Sequence, residues 1–143
     1  MLRGPRDPRD ERTHIARKRA ALIERERLAS CMNATKWREL LLGEPLLPLA
    51  WVKWINDSEL REAFDRPMLL GDAAWIEWLE FDPIETAWAG NLVGPRVVRD
   101  RTDEVLAALR AVSVPASMEG GRYRVWGYLR PGVAPEWVVP PVR

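Results

Sequence analysis

Residues 73–81, with the sequence AAWIEWLEF, decide which class of fold this chain adopts. Turn-forming Gly, Asp and Pro residues bound the stretch on both sides, and its interior is rich in aromatic and β-branched residues. Trp75, Trp78 and Leu79 also fit the i, i+3, i+4 spacing of a helix. The composition and the flanking turns nevertheless favour a strand.

A strand at this position separates two acidic residues. Successive side chains of a strand point to opposite faces of a sheet. We therefore expect Glu77 on one face, with Leu79 and Phe81, and Glu80 on the other, with Trp78.

The other predicted elements follow outward from this strand. Short apolar runs between turn signals predict strands at 49–55 and 123–129, and the proline-bearing tail at 135–141 allows at most an edge strand. Helical periodicity and capping residues predict helices at 13–28, 33–43 and 102–112. Residues 58–64 could form one or two helical turns or a loop that bridges strands, and residues 82–100 are expected to be mainly loop.

The order of these elements predicts an α+β protein. Strands and helices do not alternate regularly, which argues against a doubly wound parallel sheet. We expect a small, mostly antiparallel sheet of 3–5 strands packed by helices, with an additional charged helix at the N-terminus.

The charge distribution suggests a boundary after Cys31. Residues 1–31 carry nine Lys or Arg and five acidic residues, a net charge of +4, whereas residues 32–143 carry 13 and 16, a net charge of −3. We interpret 32–143 as a single α+β domain and 1–31 as a charged helical extension. Met32 could be the natural initiator, or the extension could be a genuine appended helix.

The rarity of histidine and cysteine excludes several kinds of chemistry. His14 and Cys31 are the only residues of their types, and both precede the predicted domain. Residues 32–143 therefore cannot form a Ser-His-Asp or Cys-His pair or the usual zinc sites. We expect no catalytic residues, metal or cofactor. A single thiol, with no signal peptide and no apolar run that could span a membrane, predicts a cytoplasmic protein without membrane contact.

Acidic and aromatic residues supply the candidate sites that remain. Glu77, Glu80, Asp82 and Glu85 lie close to several tryptophans, which could describe a carbohydrate-active, carboxylate-dependent enzyme. The same acids could equally be solvent-facing or ion-paired residues of a strand and a turn. Their spacing does not match a calcium loop.

The eight tryptophans are unusual for a chain of 143 residues. We expect most of them to pack in the core, because indole rings bury large areas. The candidate binding residues outside the core are Trp88 in a Gly- and Pro-bearing loop, Trp137 in the tail, and Trp126 and Tyr128, which would project from one sheet face together. Glu77 and Glu80 complete this candidate set.

Four segments carry a resemblance to a known group of proteins. They are KW at 36–37, WVKWI at 51–55, IEWLE at 76–80 and RVWGY at 124–128. This pattern resembles a family of small bacterial proteins of unknown function over residues 33–130. In size, acidity and α+β composition the chain is also similar to the immunity proteins of bacterial toxin systems.

Together these features favour a non-enzymatic protein-binding module, with an immunity-type inhibitor of a bacterial toxin as its specific form. The implied partner is another protein. The net negative charge of residues 32–143 would suit a partner with a basic surface. Nucleic-acid binding through the Arg-rich N-terminal helix is an alternative. The acids interleaved with its cations argue against that alternative.

Overall fold

The computed structural model describes residues 7–43, 48, 50–63 and 66–142. Within these ranges the α+β class is confirmed. The helices are α1 (Pro8–Arg25), α2 (Ala34–Gly43), α3 (Arg66–Leu69), a 3-10 helix (Leu70–Trp75) and α4 (Thr102–Ala111). The strands are β1 (Ala29–Ser30), β2 (Ala50–Trp54), β3 (Leu60–Ala63), β4 (Ile76–Phe81), β5 (Ile84–Trp88), β6 (Pro95–Asp100), β7 (Ala116–Glu119), β8 (Arg122–Trp126), β9 (Tyr128–Leu129) and β10 (Trp137–Val139).

Six strands form the main sheet, in the order β10-β7-β8-β4-β2-β3. Every neighbouring pair is antiparallel. The sheet is one strand wider than the predicted maximum of five. The tail strand β10 lies at its edge, where the missing amide hydrogens of nearby prolines disturb no ladder.

Strand β4 lies inside the sheet between β2 and β8, as its apolar composition predicts. Leu79 pairs with Val52 on one side and with Val125 on the other, and all three side chains are buried. They belong to the core between this face of the sheet and helices α2 and α4, to which Leu40 and Leu109 contribute fully buried side chains.

Local signals in the sequence explain both core-facing helices. Asn33 precedes α2, and its side-chain Oδ1 accepts a hydrogen bond from the Lys36 backbone N–H at 2.9 Å, which caps the first turn. Asp103 and Glu104 lie in the first turn of α4, where the helix dipole favours negative charge. Both predicted helices are confirmed.

The predicted N-terminal helix is also confirmed, and it begins earlier than expected. Asp7 accepts a hydrogen bond from the Arg9 backbone N–H, and Pro8 occupies the first turn, where its missing N–H is not needed. Near the other end of α1, Leu22 and Ile23 pack against a second small cluster formed by Leu28, Ile55 and Tyr128. The division of the chain at residues 31 and 32 stays a prediction.

The expectation of a loop over residues 82–100 is wrong. Strands β5 and β6 pair with each other as a separate hairpin, which we call the hairpin arm (residues 84–100). Its turn uses Gly90 and Gly94, both with positive φ. Residues 86–100 are exposed apart from these two half-buried glycines. The arm therefore lacks the alternation between buried and exposed residues by which strands are recognised in sequences.

The structure also decides the conformation of two further segments. Residues 60–63 form strand β3 rather than helical turns. The strand predicted at 123–129 is divided at Gly127, where the chain passes from the main sheet to the small sheet of β9 and β1. Leu49, Phe64 and residues 1–6, on which parts of the expectations fell, lie outside the described residues.

No described helix is both long enough and apolar enough to cross a membrane.

Candidate functional site

The face of the main sheet opposite α2 and α4, here called the open face, is built around an irregularity in β4. Lys53 pairs with Trp78, but the next residue of β2, Trp54, pairs with Ile76, so Glu77 is an extra residue. Such a bulge interrupts the alternation of side chains. Glu77 and Glu80 consequently lie on the same face, and the expectation of opposite faces is wrong.

Buried ion pairs hold Glu77 in place. The residue is 2% exposed, and its Oε1 accepts hydrogen bonds from Lys53 Nζ at 3.1 Å and from Arg130 Nη2 and Nε at 2.8 and 3.0 Å. Arg130 also approaches Glu26, the residue that follows α1, at 3.8 Å. Two cations therefore compensate the charge that this carboxylate would otherwise carry alone in the interior.

Arg124 lies at the centre of the open face. Its Cζ is 4.0 Å from the ring centroid of Trp78 and 5.1 Å from that of Trp126, and Nη2 is 3.5 Å from Glu80 Oε2. The two indole rings meet edge to face, with centroids 5.3 Å apart. A guanidinium over aromatic rings is attracted by their electron-rich faces, which fixes its position.

The same arrangement extends to both sides of Arg124. Arg122 stacks on Trp51 with 4.1 Å between Cζ and the ring centroid, and Lys53 Nζ lies 5.4 Å from the centroid of Trp78. Cationic and aromatic side chains thus alternate across the open face. We expected most of the tryptophans to pack in the core. Trp37 and Trp54 lie in the core beneath α2 and α4, and Trp75 packs against the second, smaller cluster.

A cavity of about 430 Å³ opens over this face, and we call it the central cavity. Lys53, Glu77, Trp78, Glu119, Arg124, Trp126 and Arg130 line it, together with the segment 133–135. Within the described ranges, the buried Trp78 Nε1–H and Arg124 Nε–H donate no hydrogen bond. By contrast, the Nε1–H of Trp126 donates to Ser117 Oγ at 2.8 Å.

A larger cavity of about 810 Å³ separates α1 from the connection between β2 and β3. Lys53 and Arg130 line both cavities, so the ion pairs of Glu77 stand between them. Lys18 and Arg25 of α1, and Glu26 directly after it, face this larger space.

The predicted acidic cluster does not converge on one point. Glu77 faces the central cavity, and Glu80 is buried beside Arg124. Asp82 instead accepts a hydrogen bond from the Ile84 backbone N–H at 2.9 Å, and Glu85 pairs with Arg101 at 3.3 Å. Across the described chain, no three His, Cys, Asp or Glu side chains are grouped to hold a metal ion.

Contrary to the expectation, Trp126 and Tyr128 do not share a surface. Trp126 is 3% exposed on the open face, whereas Tyr128 packs in the cluster beneath α1 and donates its hydroxyl to Ala74 O at 2.7 Å. Burial raises the pKa of the Tyr128 phenol. Trp137 pairs with Ser117 across the strands, which places it on the open face.

Trp88 belongs to a different surface, the hairpin arm. Its side chain is 65% exposed, and the arm also exposes Leu92, Val93, Val97 and Val98 by half or more. Sequence reasoning missed these four aliphatic residues. The signal was the sequence LVGPRVV at 92–98, which is apolar, carries a single charge and directly follows turn residues.

The comparisons with known proteins give one match. The model of a family described as "Family of unknown function (DUF6678)" matches residues 19–132. These residues include the C-terminal part of α1 from Arg19 onward, the hairpin arm and all strands of the open face except β10. No curated protein and no solved structure matches the chain significantly.

Proposed function

This chain belongs to the DUF6678 family of unknown function, and we propose that it is a non-enzymatic protein-binding module whose binding element is the hairpin arm. One observation carries the proposal: Trp88, Leu92, Val93, Val97 and Val98 are all exposed on one hairpin that stands apart from the main sheet. Apolar side chains that are concentrated on one exposed element mark binding surfaces more often than scattered ones do.

The chemistry of the arm favours an apolar site on another protein. Residues 86–98 contain one charged side chain, Arg96, among apolar and small residues. Large aromatic residues such as Trp88 are typical binding hot spots, since they bury a large area for few rotatable bonds. A hydrophobic groove on the partner would accommodate this hairpin. A strongly charged surface would not, because its charged side chains would lose water and find almost no charged side chain on the arm to pair with.

The arm is fixed at its base, so binding would not require it to fold. The Arg101 backbone N–H donates to Pro83 O at 2.8 Å, and its guanidinium bonds Glu85 and Glu104 at 3.3 and 3.1 Å. Arg101 itself is 8% exposed. A partner would therefore meet a preorganised hairpin, which lowers the entropic cost of association.

The double variant Trp88→Ser/Leu92→Ser tests this proposal. Tagged wild-type protein and the variant are each purified from the native host, and the proteins that copurify are quantified by mass spectrometry. We expect at least one protein to be enriched with the wild type and lost with the variant. Met68→Ser is the matched control, because Met68 is 75% exposed outside the arm and should retain the partner.

The readouts must also separate lost binding from lost folding. The arm side chains are exposed, so the double variant should melt at the wild-type temperature. Sedimentation of the purified protein detects binding of the arm to a second copy of the chain. Flotation with phosphatidylcholine vesicles detects binding to a membrane. Both cases are thereby distinguished from binding to a different protein. No copurifying protein that depends on the arm, or binding to vesicles instead, would overturn the proposal.

A finer form of the proposal is an immunity-type inhibitor of a bacterial toxin. It rests on the small size of the chain and on the net charge of −3 over residues 32–143, which would speed encounter with a basic partner. Coexpression with the product of the adjacent gene tests it. Relief of growth inhibition by wild-type protein but not by the arm variant is expected, and failure to relieve it contradicts this finer form alone.

A further inference from the structure

The central cavity of the open face has the properties of a ligand site that is independent of the hairpin arm. We propose that it binds a neutral polyhydroxyl compound, the chemical class of a mono- or disaccharide. Its volume of about 430 Å³ falls within the range of small-molecule pockets in proteins.

The first argument concerns hydrogen-bond donors. Trp78 Nε1–H and Arg124 Nε–H are both buried and have no acceptor in the described part of the chain. Buried donors without acceptors are rare in folded proteins because they have lost water and gained nothing in exchange. A ligand oxygen in the cavity would supply the missing acceptor to either group.

The second argument concerns charge. Lys53, Arg124 and Arg130 line the cavity, and the carboxylates of Glu77 and Glu80 accept hydrogen bonds from them. Glu119 supplies a second carboxylate at the wall, and Glu80 pairs with Arg124 from outside the lining, so three carboxylates balance the three cations. An ionic ligand would disturb this balance, whereas a neutral ligand would not.

The third argument concerns the type of polar group. Hydroxyl groups both donate and accept hydrogen bonds, so one ligand can satisfy the N–H groups of Trp78 and Arg124 and also donate to a carboxylate. Glu119 already accepts from Ser117 through Oε1, and a carboxylate has further lone pairs available. The apolar face of a sugar ring could pack on the apolar segment 133–135.

The indole N–H resonances of the tryptophans provide a direct test. Protein labelled with ¹⁵N is titrated with the methyl glycosides of glucose, galactose, mannose and N-acetylglucosamine to about 20 mM, which detects millimolar dissociation constants. The Trp78→Phe variant assigns the Trp78 signal. We expect at least one glycoside to shift Trp78 Nε1–H strongly and Trp126 Nε1–H, already bonded to Ser117, much less.

Two conservative variants test the role of Arg124. Arg124→Lys keeps the charge next to Glu80 but removes the Nε–H, and we expect it to weaken glycoside binding about tenfold. Arg122→Lys is the matched control, since Arg122 stacks on Trp51 and does not line the cavity. If Arg124→Lys unfolds, the same affinity is measured by calorimetry with Trp78→Phe, which removes the other unbonded donor.

Several results would overturn the assignment. These are the absence of any shift with all four glycosides, equal affinity in the wild type and in the Arg124 or Trp78 variant, or a Trp78 shift with sodium phosphate or glycine but not with glycosides. The arm variant Trp88→Ser/Leu92→Ser should bind glycosides like the wild type, so this proposal and that of protein binding can fail separately.

Discussion

Arg130 and Glu77 form a hydrogen-bonded ion pair of 2.8 Å between Nη2 and Oε1, although 53 positions separate them in the chain. The pair joins the segment after β9 to the bulge of β4, and Lys53 approaches the same carboxylate oxygen from β2. Three parts of the chain thus meet at one buried charge.

Glu77→Ala should lower the free energy of unfolding by about 3 kcal/mol, because it leaves two cations without their shared anion. This value is at the lower end for a broken buried ion pair, since Arg130 is 34% exposed and partly hydrated. Urea unfolding measures the change. Glu59→Ala, which removes an exposed partner of Arg61, is the control and should have no measurable effect. A loss below about 1 kcal/mol for Glu77→Ala would contradict the assigned role.

Gly127→Ala should destabilise the protein by about 3 kcal/mol or more, through a steric clash rather than a change of φ. A Cβ at this position would lie 2.1 Å from the backbone oxygen of Ile76, and the Gly127 N–H is bonded to Glu77 O at 2.7 Å. Thermal unfolding measures the loss. Gly71→Ala is the matched control, because nothing lies within 4 Å of its Cβ position. Equal melting temperatures of the two variants would refute the argument.

Asn33→Ala should cost about 1 kcal/mol of stability, the usual value for the loss of an N-cap. The Asn33 Oδ1 is the acceptor for the Lys36 backbone N–H in the first turn of α2, and alanine offers no replacement. Chemical unfolding followed by circular dichroism gives the change. Asn33→Asp, which keeps an acceptor at this position, should restore most of it; if it does not, the capping bond is not the cause.

Thr102→Val should raise the pKa of the Asp100 carboxyl. The Thr102 hydroxyl and then its backbone N–H donate to Asp100 Oδ1 at 2.5 and 2.9 Å, and these bonds lower the pKa below the ordinary 3.8. NMR titration of the carboxyl carbon measures the value. The variant keeps the backbone bond, so its pKa should lie between that of the wild type and 3.8. Thr102→Ser keeps the hydroxyl and should titrate like the wild type.

The sign of the linked stability follows from this shift. A carboxyl whose pKa is lowered on folding stabilises the native state above the unfolded value of 3.8, and this contribution disappears as the pH falls through the folded pKa. The wild type should therefore lose more stability between neutral and acidic pH than Thr102→Val does. The opposite order in urea unfolding at the two pH values would show that the hydroxyl bond does not favour the ionised form.

Elements with a local signal could be predicted from the sequence. The cap at Asn33 and the acidic first turn of α4 were sufficient for two helices, and the apolar runs of β2 and β4 were sufficient for two strands. The hairpin arm could not be predicted in this way, because its side chains are exposed on both faces and the strand pattern depends on burial.

The amino-acid sequence by itself determined the α+β class, the near absence of histidine and cysteine, and the position of Trp88 outside the core. Only the tertiary structure decided that Glu77 and Glu80 share a face and that Arg124 contacts both Trp78 and Trp126. The physical reason is that a bulge is a property of two paired strands. The periodicity of apolar residues in the sequence describes one strand at a time, so it cannot indicate where the register between two strands shifts.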